Sequence, residues 1–426
     1  MNEIEAVGEE ALLLPLAKGA VANERPWLYA LLIAPSAVLA NGVIQGGVLA
    51  YLMRQQGIGI GRISQLISLL ALPTMIYFLW SPITDFLVRR RTWLLLGAVS
   101  AGVLTAAAFG SRRLDSRSAV VLIFMGACCC QLVVSSCGGM MGTLHVERSR
   151  RVAGSFYQGG SMAFGAVAVF VLIMFSERLK HGTLGLLTGA LIAAPALFAL
   201  ATAKQDVVVE AGFVRTMRRV WGEFKATFLR WRALPYSLVI VFPMASGAAI
   251  GLLPGVAREY GVNGAHVAWV NGLGGALLMA GGSLAATLIP ARFRAPVVYL
   301  SVGLVNAGAL CVLWLGALLP STYYVGLTLY LFTIGTGYAM FTAVVLEFLG
   351  HSGKSGSGRY SIINSLGNVP VLYMLVLDGW GGEKWGARGL AGTEAVVGAV
   401  GALILLAYFM TQKKGEAATA GTAVAE

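Results

Sequence analysis

The chain has 426 residues, 57% hydrophobic and 12% charged, whereas a soluble domain carries about 25% charged residues; a soluble globular class is excluded. The formal charge of +12 sits in loops between apolar runs, so it reports topology and excludes a nucleic-acid-binding reading. Gly reaches 55 residues, as expected where membrane helices pack closely through small side chains.

Residues 1–26 are rich in Glu: Glu3, Glu5, Glu9, Glu10 and Glu24. The apolar run Ala11–Ala17 is short and lacks a basic start, so this segment reads as a cytoplasmic tail rather than a secretory signal. From Trp27 onward, apolar runs of membrane-spanning length recur. Six fill residues 27–203: Trp27–Leu52, Ile63–Ile83, Trp93–Gly110, Ala119–Gly142, Gly154–Ser176 and Leu184–Ala203. Six more fill residues 236–410: Tyr236–Ala257, Val267–Ile289, Val297–Leu318, Tyr323–Leu349, Tyr360–Leu377 and Ala391–Met410.

Between the two sets lies a polar linker, residues 204–235. Its Phe213, Met217, Val220, Trp221 and Phe224 keep helical spacing, with cations on the other face, which predicts an amphipathic helix on the inner leaflet. Residues 411–426 are small and polar and are expected to be disordered. Most of the 31 Lys and Arg fall on the side that holds both termini. That bias predicts a multi-pass inner (plasma) membrane protein with both termini and the linker in the cytoplasm.

The loop from Trp80 to Trp93 sets one carboxylate, Asp85, against Arg89, Arg90 and Arg91. A carboxylate at a helix C-terminus opposes the helix dipole, so Asp85 needs a cation or a backbone donor. Of the five cysteines, Cys128, Cys129 and Cys130 are consecutive and point about 100° apart on a helix, so they share neither a metal nor a bridge. Cys130, Cys137 and Met141 share a face, which reads as packing.

Polar uncharged residues mark one face on several spans. Asn41 and Gln45 are four apart in span one, Gln131 and Ser135 in span four, and Asn364 and Asn368 in span eleven. Tyr157 and Ser161, with Gln158 adjacent, open span five. Pairs at this spacing share a helix face. In hydrocarbon such a face turns to a partner helix or a wet cavity. Several such faces together predict one shared cavity, with Asn271 in span eight and Tyr338 in span ten as weaker additions. Asn306 in span nine reads as a packing residue.

Carboxylates are scarce in the spans. Glu347 closes span ten and is the proton-coupling candidate, since intramembrane ionisable groups default to function. Its other reading is a carboxylate that reaches water or pairs with Arg359. Asp378 falls just after span eleven. His145, His181, His266 and His351 lie in or near loops, without a Ser/His/Asp set or a metal motif. Gly57-Ile58-Gly59-Ile60-Gly61 lacks a preceding strand. Gly353-Lys354-Ser355 has Phe348 where a phosphate loop needs Gly. No enzyme, cofactor or metal is expected.

Asp85 followed by Arg89 and Arg90 resembles the loop between helices two and three of major facilitator transporters. The usual pattern there is Gly-x-x-x-Asp-Arg-x-Gly-Arg-Arg; Ser81, Phe86 and Val88 depart from it. The run Leu79-Trp80-Ser81-Pro82-Ile83-Thr84-Asp85 resembles the branch of AmpG-type muropeptide permeases and acetyl-coenzyme A transporters. Gln45 to Leu52 with Gly57-Ile58-Gly59, Phe341-Thr342-Ala343, and Tyr360 to Gly367 resemble the same branch. Ser135, Gly139 and Ala163 stand where that branch carries acidic residues and an arginine. In the second copy of the loop motif, Gly282 to Arg292, Ala286 replaces the Asp.

The resemblance implies an all-α fold of twelve transmembrane helices in two pseudosymmetric six-helix bundles. It also implies secondary transport by alternating access with a site between the bundles. Asp85, Arg89 and Arg90 are the implied gate. The cavity residues favour a small neutral or multiply hydroxylated solute, a sugar–peptide cell-wall fragment included. The expected partners are that solute, the bilayer and protons, with the protein a monomer. The competing class is a non-transporting sensor or assembly subunit on a transporter scaffold, favoured by Ala286 and by the missing helix-four acids.

Overall fold

The computed structural model describes residues 25–76, 84, 88–142, 144, 147–202, 218, 221–222, 225, 234–290, 292–349, 363 and 365–423. Asp85, Asn364, the N-terminal tail and most of the 204–235 linker lie outside the described residues.

The described residues are helical, as the apolar periodicity predicts. Eight of their helices are long and apolar enough to cross a membrane, and the bent pair Leu28–Ile44 and Val48–Gln55 makes a ninth. One of the eight, Val369–Met410, bends at Trp385 and Gly386 (φ +66°) and holds the expected spans eleven and twelve. The other two expected spans are Ile60–Met75 and a chain of short helical pieces from Leu234 to Tyr260. Helical segments of the described residues thus stand at all twelve expected spans, six in each half. Large apolar side chains such as Leu186, Leu277, Leu284, Leu288 and Leu315 stand exposed on the outer faces. On a multi-pass membrane protein these faces meet lipid.

Helix breaks position the site. The first span bends by 44° at Gly47, whose φ of +91° suits only glycine without strain. Before the bend, Ala37–Ile44 is a π-helical segment; Gln45 N–H reaches back five residues to the Ala40 carbonyl at 2.9 Å. A second π-helical segment, Ala268–Gly274, lies in span eight. Such segments concentrate at functional sites. Asn41 sits in the first and Asn271 in the second.

Two sequence expectations are corrected. Span seven is not one continuous helix. Leu234–Val241 ends at Phe242-Pro243, and the chain resumes as short turns from Ala248. Pro243 removes an N–H, while Ala245 (φ +47°) and Gly247 (φ +77°) take left-handed backbone. Span eleven, expected to end at Leu377, continues through Asp378 to the bend at Trp385. Gly379, Gly381 and Gly382 lie inside this helix, where they admit close neighbours. A Cβ on Gly381 would meet the Gly389 carbonyl at 2.6 Å, so glycine lets spans eleven and twelve touch.

The largest buried core runs through both halves, from Val38 to Ile192 and from Ala245 to Ala395. The halves meet tightly at one end. Arg54 donates to Glu259 at 3.3 Å, Arg258 to Glu177 at 3.4 Å, and the Gly61 N–H to Glu383 at 2.8 Å. Ser68 donates to the Leu372 carbonyl at 2.8 Å. Tyr51 supports this seal by donating to Glu177 at 3.1 Å. At the other end no hydrogen bond or ion pair joins the halves among the described residues.

Candidate functional site: a polar cavity with a carboxyl pair behind its wall

A cavity of about 1250 Å³ lies between the halves, away from this seal. Its wall brings together Asn41, Gln45, Tyr157, Gln158, Asn271, Tyr338 and Asn368 from the sequence expectation. Ser135, Ser161, Ser246, Tyr299 and Thr342 add hydroxyls. Among the described residues no charged side chain lines it.

Asn41 donates to Ser161 at 2.9 Å, across the first and fifth spans. Gly165 lets these spans come close, since a Cβ there would press on the Asn41 side chain at 3.0 Å. Asn271 donates to the Tyr323 hydroxyl at 3.0 Å and to the Val267 carbonyl at 3.2 Å. Its amide is thus largely satisfied by its own half.

Gln131 is placed differently from the expectation. It is buried, donates to the Ala127 carbonyl of its own helix at 3.4 Å, and is not among the wall residues. The wall portion of that helix begins three residues later, at Val134. Asn364 lies outside the described residues. Arg90, expected in the gate, donates to the Gly139 carbonyl at 2.7 Å, at the cavity mouth. Arg89 is exposed just before the helix Arg90–Phe109. Asp85, their expected partner, lies outside the described residues.

Glu347 stands at the same mouth. It accepts from the Tyr236 hydroxyl at 2.7 Å and from the Ala295 N–H at 3.1 Å, with Arg294 at 4.0 Å. Its side chain is 33% exposed. Its carboxylate therefore ties three helix ends together in contact with water.

Two carboxyls lie deep in the second half: Asp378, which the sequence reading placed just after span eleven, and Glu394, which it missed. Glu394, in span twelve, accepts from the Ser246 hydroxyl at 2.8 Å and the Tyr330 hydroxyl at 3.0 Å, and from the Ala249 N–H at 2.9 Å. Asp378 is fully buried in span eleven, and no donor reaches either of its oxygens. Its helix touches span twelve one turn further on, where a Cβ on Gly381 would run into Thr393, the residue next to Glu394, so the two buried carboxyls are neighbours. The one available signal was an acidic residue four positions into the apolar run that starts at Ala391. Ending span eleven at Leu377 set the other just outside the expected helix, which in fact continues to Trp385.

These groups also repair the break in span seven. Broken backbone inside a bilayer is tolerated only where its polar groups find partners. Tyr373 donates to the Val241 carbonyl at 2.8 Å and Tyr299 to the Met244 carbonyl at 3.0 Å. Ser246 accepts from the Ala248 N–H at 3.1 Å, and Glu394 takes that of Ala249.

No protein-family model and no curated protein matches the chain. Solved structures do. A D-xylose-proton symporter superposes with a TM-score of 0.66 at 12% identity, over 89% of this chain and 95% of that one. A mutant of nucleoside transporter NupG gives 0.68 at 12% identity, over 91% and 99%. NupG itself gives 0.64 at 13% identity, over 90% and 98%. Identity this low speaks for the fold alone, and in its fold the chain is similar to these transporters along nearly its whole length.

Proposed function

We propose that the protein is a proton-coupled secondary transporter that moves a small polar solute by alternating access, working as a monomer. The observation that carries this reading is the uncharged polar cavity between the halves, sealed at one end and open at the other. A wall of amides and hydroxyls can exchange hydrogen bonds with a neutral, multiply hydroxylated solute. Among its described residues it offers no cation to a strongly anionic one. Volume and the AmpG-type resemblance together favour a sugar–peptide cell-wall fragment.

The open end carries Arg89–Arg91, Arg292 and Arg294, so it is the cytoplasmic end on the positive-inside criterion. The form described here is then inward-open, and Asp85 with Arg89 and Arg90 forms the gate of the opposite, outward-open form. Thiol labelling of the loop 112–117 from the outside checks this orientation; access from the inside only would reverse it.

The test of function is uptake into proteoliposomes with an acid exterior. A neutral disaccharide, a disaccharide–peptide and a nucleoside are the solutes to offer. Saturable accumulation of a hydroxylated solute, reduced in Asn41→Leu, supports transport. The uncharged stretch at Ser135 and Gly139 favours a second reading, a sensor on a transporter scaffold. Saturable binding without flux for every solute would select the sensor.

A further inference from the structure

We propose that Asp378 and Glu394 form the proton-binding site of this protein, and that its proton controls the break in span seven. The inference rests on the transporter reading for its purpose, but not for its chemistry.

Glu394 already accepts three hydrogen bonds, from Ser246, Tyr330 and the Ala249 N–H. Asp378 has no donor and is fully buried, on the helix that touches span twelve beside Glu394. Two neighbouring buried carboxyls are stable together only when at least one of them holds a proton. Two bare carboxylates repel, and a buried charge without a partner is costly. The pair as seen is therefore a one-proton site. The titratable groups acting on it are Tyr330 and Tyr338, both from the Pro320–Leu349 helix. Span two faces Asp378's neighbour Gly379 with Ser64, which does not titrate. Among the described residues no Lys, Arg or His pairs with either carboxyl.

The arrangement suits a proton better than a sodium ion. Three donors already occupy Glu394, which leaves a sodium ion only Asp378 and the remaining lone pair of Glu394, whereas a proton needs one oxygen.

Ser246 connects the pair to the solute path. It donates to Glu394 and also lines the cavity. It lies between Ala245 and Gly247, the two left-handed residues of the break. Loss of the proton toward the cavity leaves two adjacent carboxylates, one without a donor. They relieve their repulsion by moving apart, and Glu394 then gives up Ser246 and the Ala249 N–H. Span seven is freed at its break, which is where the cavity wall would hinge. The proton is taken up again when the sealed side opens.

The test needs no solute. First, infrared spectra of the purified full-length protein are recorded across pH, with and without sodium. The carbonyl stretch of a protonated carboxyl is expected at neutral pH, lost in Asp378→Asn and unaffected by sodium. Second, Gly138→Cys, in a version with the native cysteines replaced, reports cavity access by its rate of thiol modification. One coupled proton changes the ratio of two states up to about tenfold per pH unit. The rate is expected to vary with pH by up to that factor, and to become flat in Asp378→Asn and in Glu394→Gln.

Absence of the protonated band in the native protein would overturn the proposal, with no variant required. So would a sodium-dependent band, or pH dependence that survives both variants and disappears in Glu347→Gln. Native protein that shows the band and the pH response yet moves no solute would retain the proton site and reject the transporter reading.

Discussion

The two halves meet the cavity through the same fold and similar polar walls, and differ in what lies behind them. Each has a span with a left-handed glycine at its break, Gly47 in one and Gly247 in the other. Each has a π-helical segment carrying an asparagine, Asn41 or Asn271. In the first half the break packs against the second: a Cβ on Gly47 would run into Pro254. In the second half the break is held by side chains, among them a carboxylate. The cavity face of each half is amide and hydroxyl, and the second half also buries Asp378 and Glu394 behind its face. On the proposed reading a repeated scaffold divides its labour: both faces meet the solute, and the second half also holds the proton.

Replacing Asn41 is the sharpest way to break this comparison. Asn41→Leu removes the exposed bond to Ser161 and one amide from the wall, a loss of about 0.5–1.5 kcal/mol, or roughly 2- to 12-fold in uptake. Membrane insertion should be unchanged by fractionation. Asn271→Leu should cost less, because Asn271 is already engaged by Tyr323. Equal losses at both positions would mean that the two faces contribute equally to recognition.

Glu394→Gln comes next. It should leave solute exchange at equal concentrations intact and abolish accumulation against a gradient. Wild-type accumulation, driven by one pH unit through one proton, is limited to about tenfold, so that factor is what disappears. Exchange lost together with accumulation would assign Glu394 to the solute as well.

Smaller effects are expected at the seal. Arg54 and Glu259 pair at 3.3 Å, with side chains 35% and 32% exposed, so solvent screens much of the attraction. Such a pair contributes about 0.2–1 kcal/mol, and Arg54→Ala should shift the balance of the two forms by about 1.4- to 5-fold toward opening at that end. Thiol access at an outer-rim cysteine measures it. Smallest is Glu347→Gln. Its hydrogen bonds to Tyr236 and Ala295 lie in contact with water, so uptake should change by less than about 3-fold, with its pH dependence kept. A loss of pH dependence here would move the proton to the cavity mouth.

Much of this molecule is legible in its sequence. Apolar runs of spanning length located the helices, and the four-residue spacing of Asn41 and Gln45 marked a face that does line the cavity. What was not legible depends on glycine and proline, whose meaning is set by neighbours distant in sequence. Gly379, Gly381 and Gly382 fall outside the expected span eleven, yet they serve as contact points between helices. Pro243 gave no sign of how long its break would be, because Tyr299, Tyr373 and Glu394 come from other spans to repair it. Gln131 shared its helix face with Ser135, yet the cavity begins a turn away. Spacing gives the face and not the depth.

The volume of the cavity has a consequence in terms of water. At about 30 Å³ per molecule, a space of about 1250 Å³ holds on the order of 40 waters. A solute that fills part of it, and halves that close on the rest, must return most of that water to bulk in each cycle. The opening step is therefore a hydration step. Osmolytes excluded from the cavity should favour the closed forms, and turnover should slow as external osmotic pressure rises, with solute and proton gradients held constant.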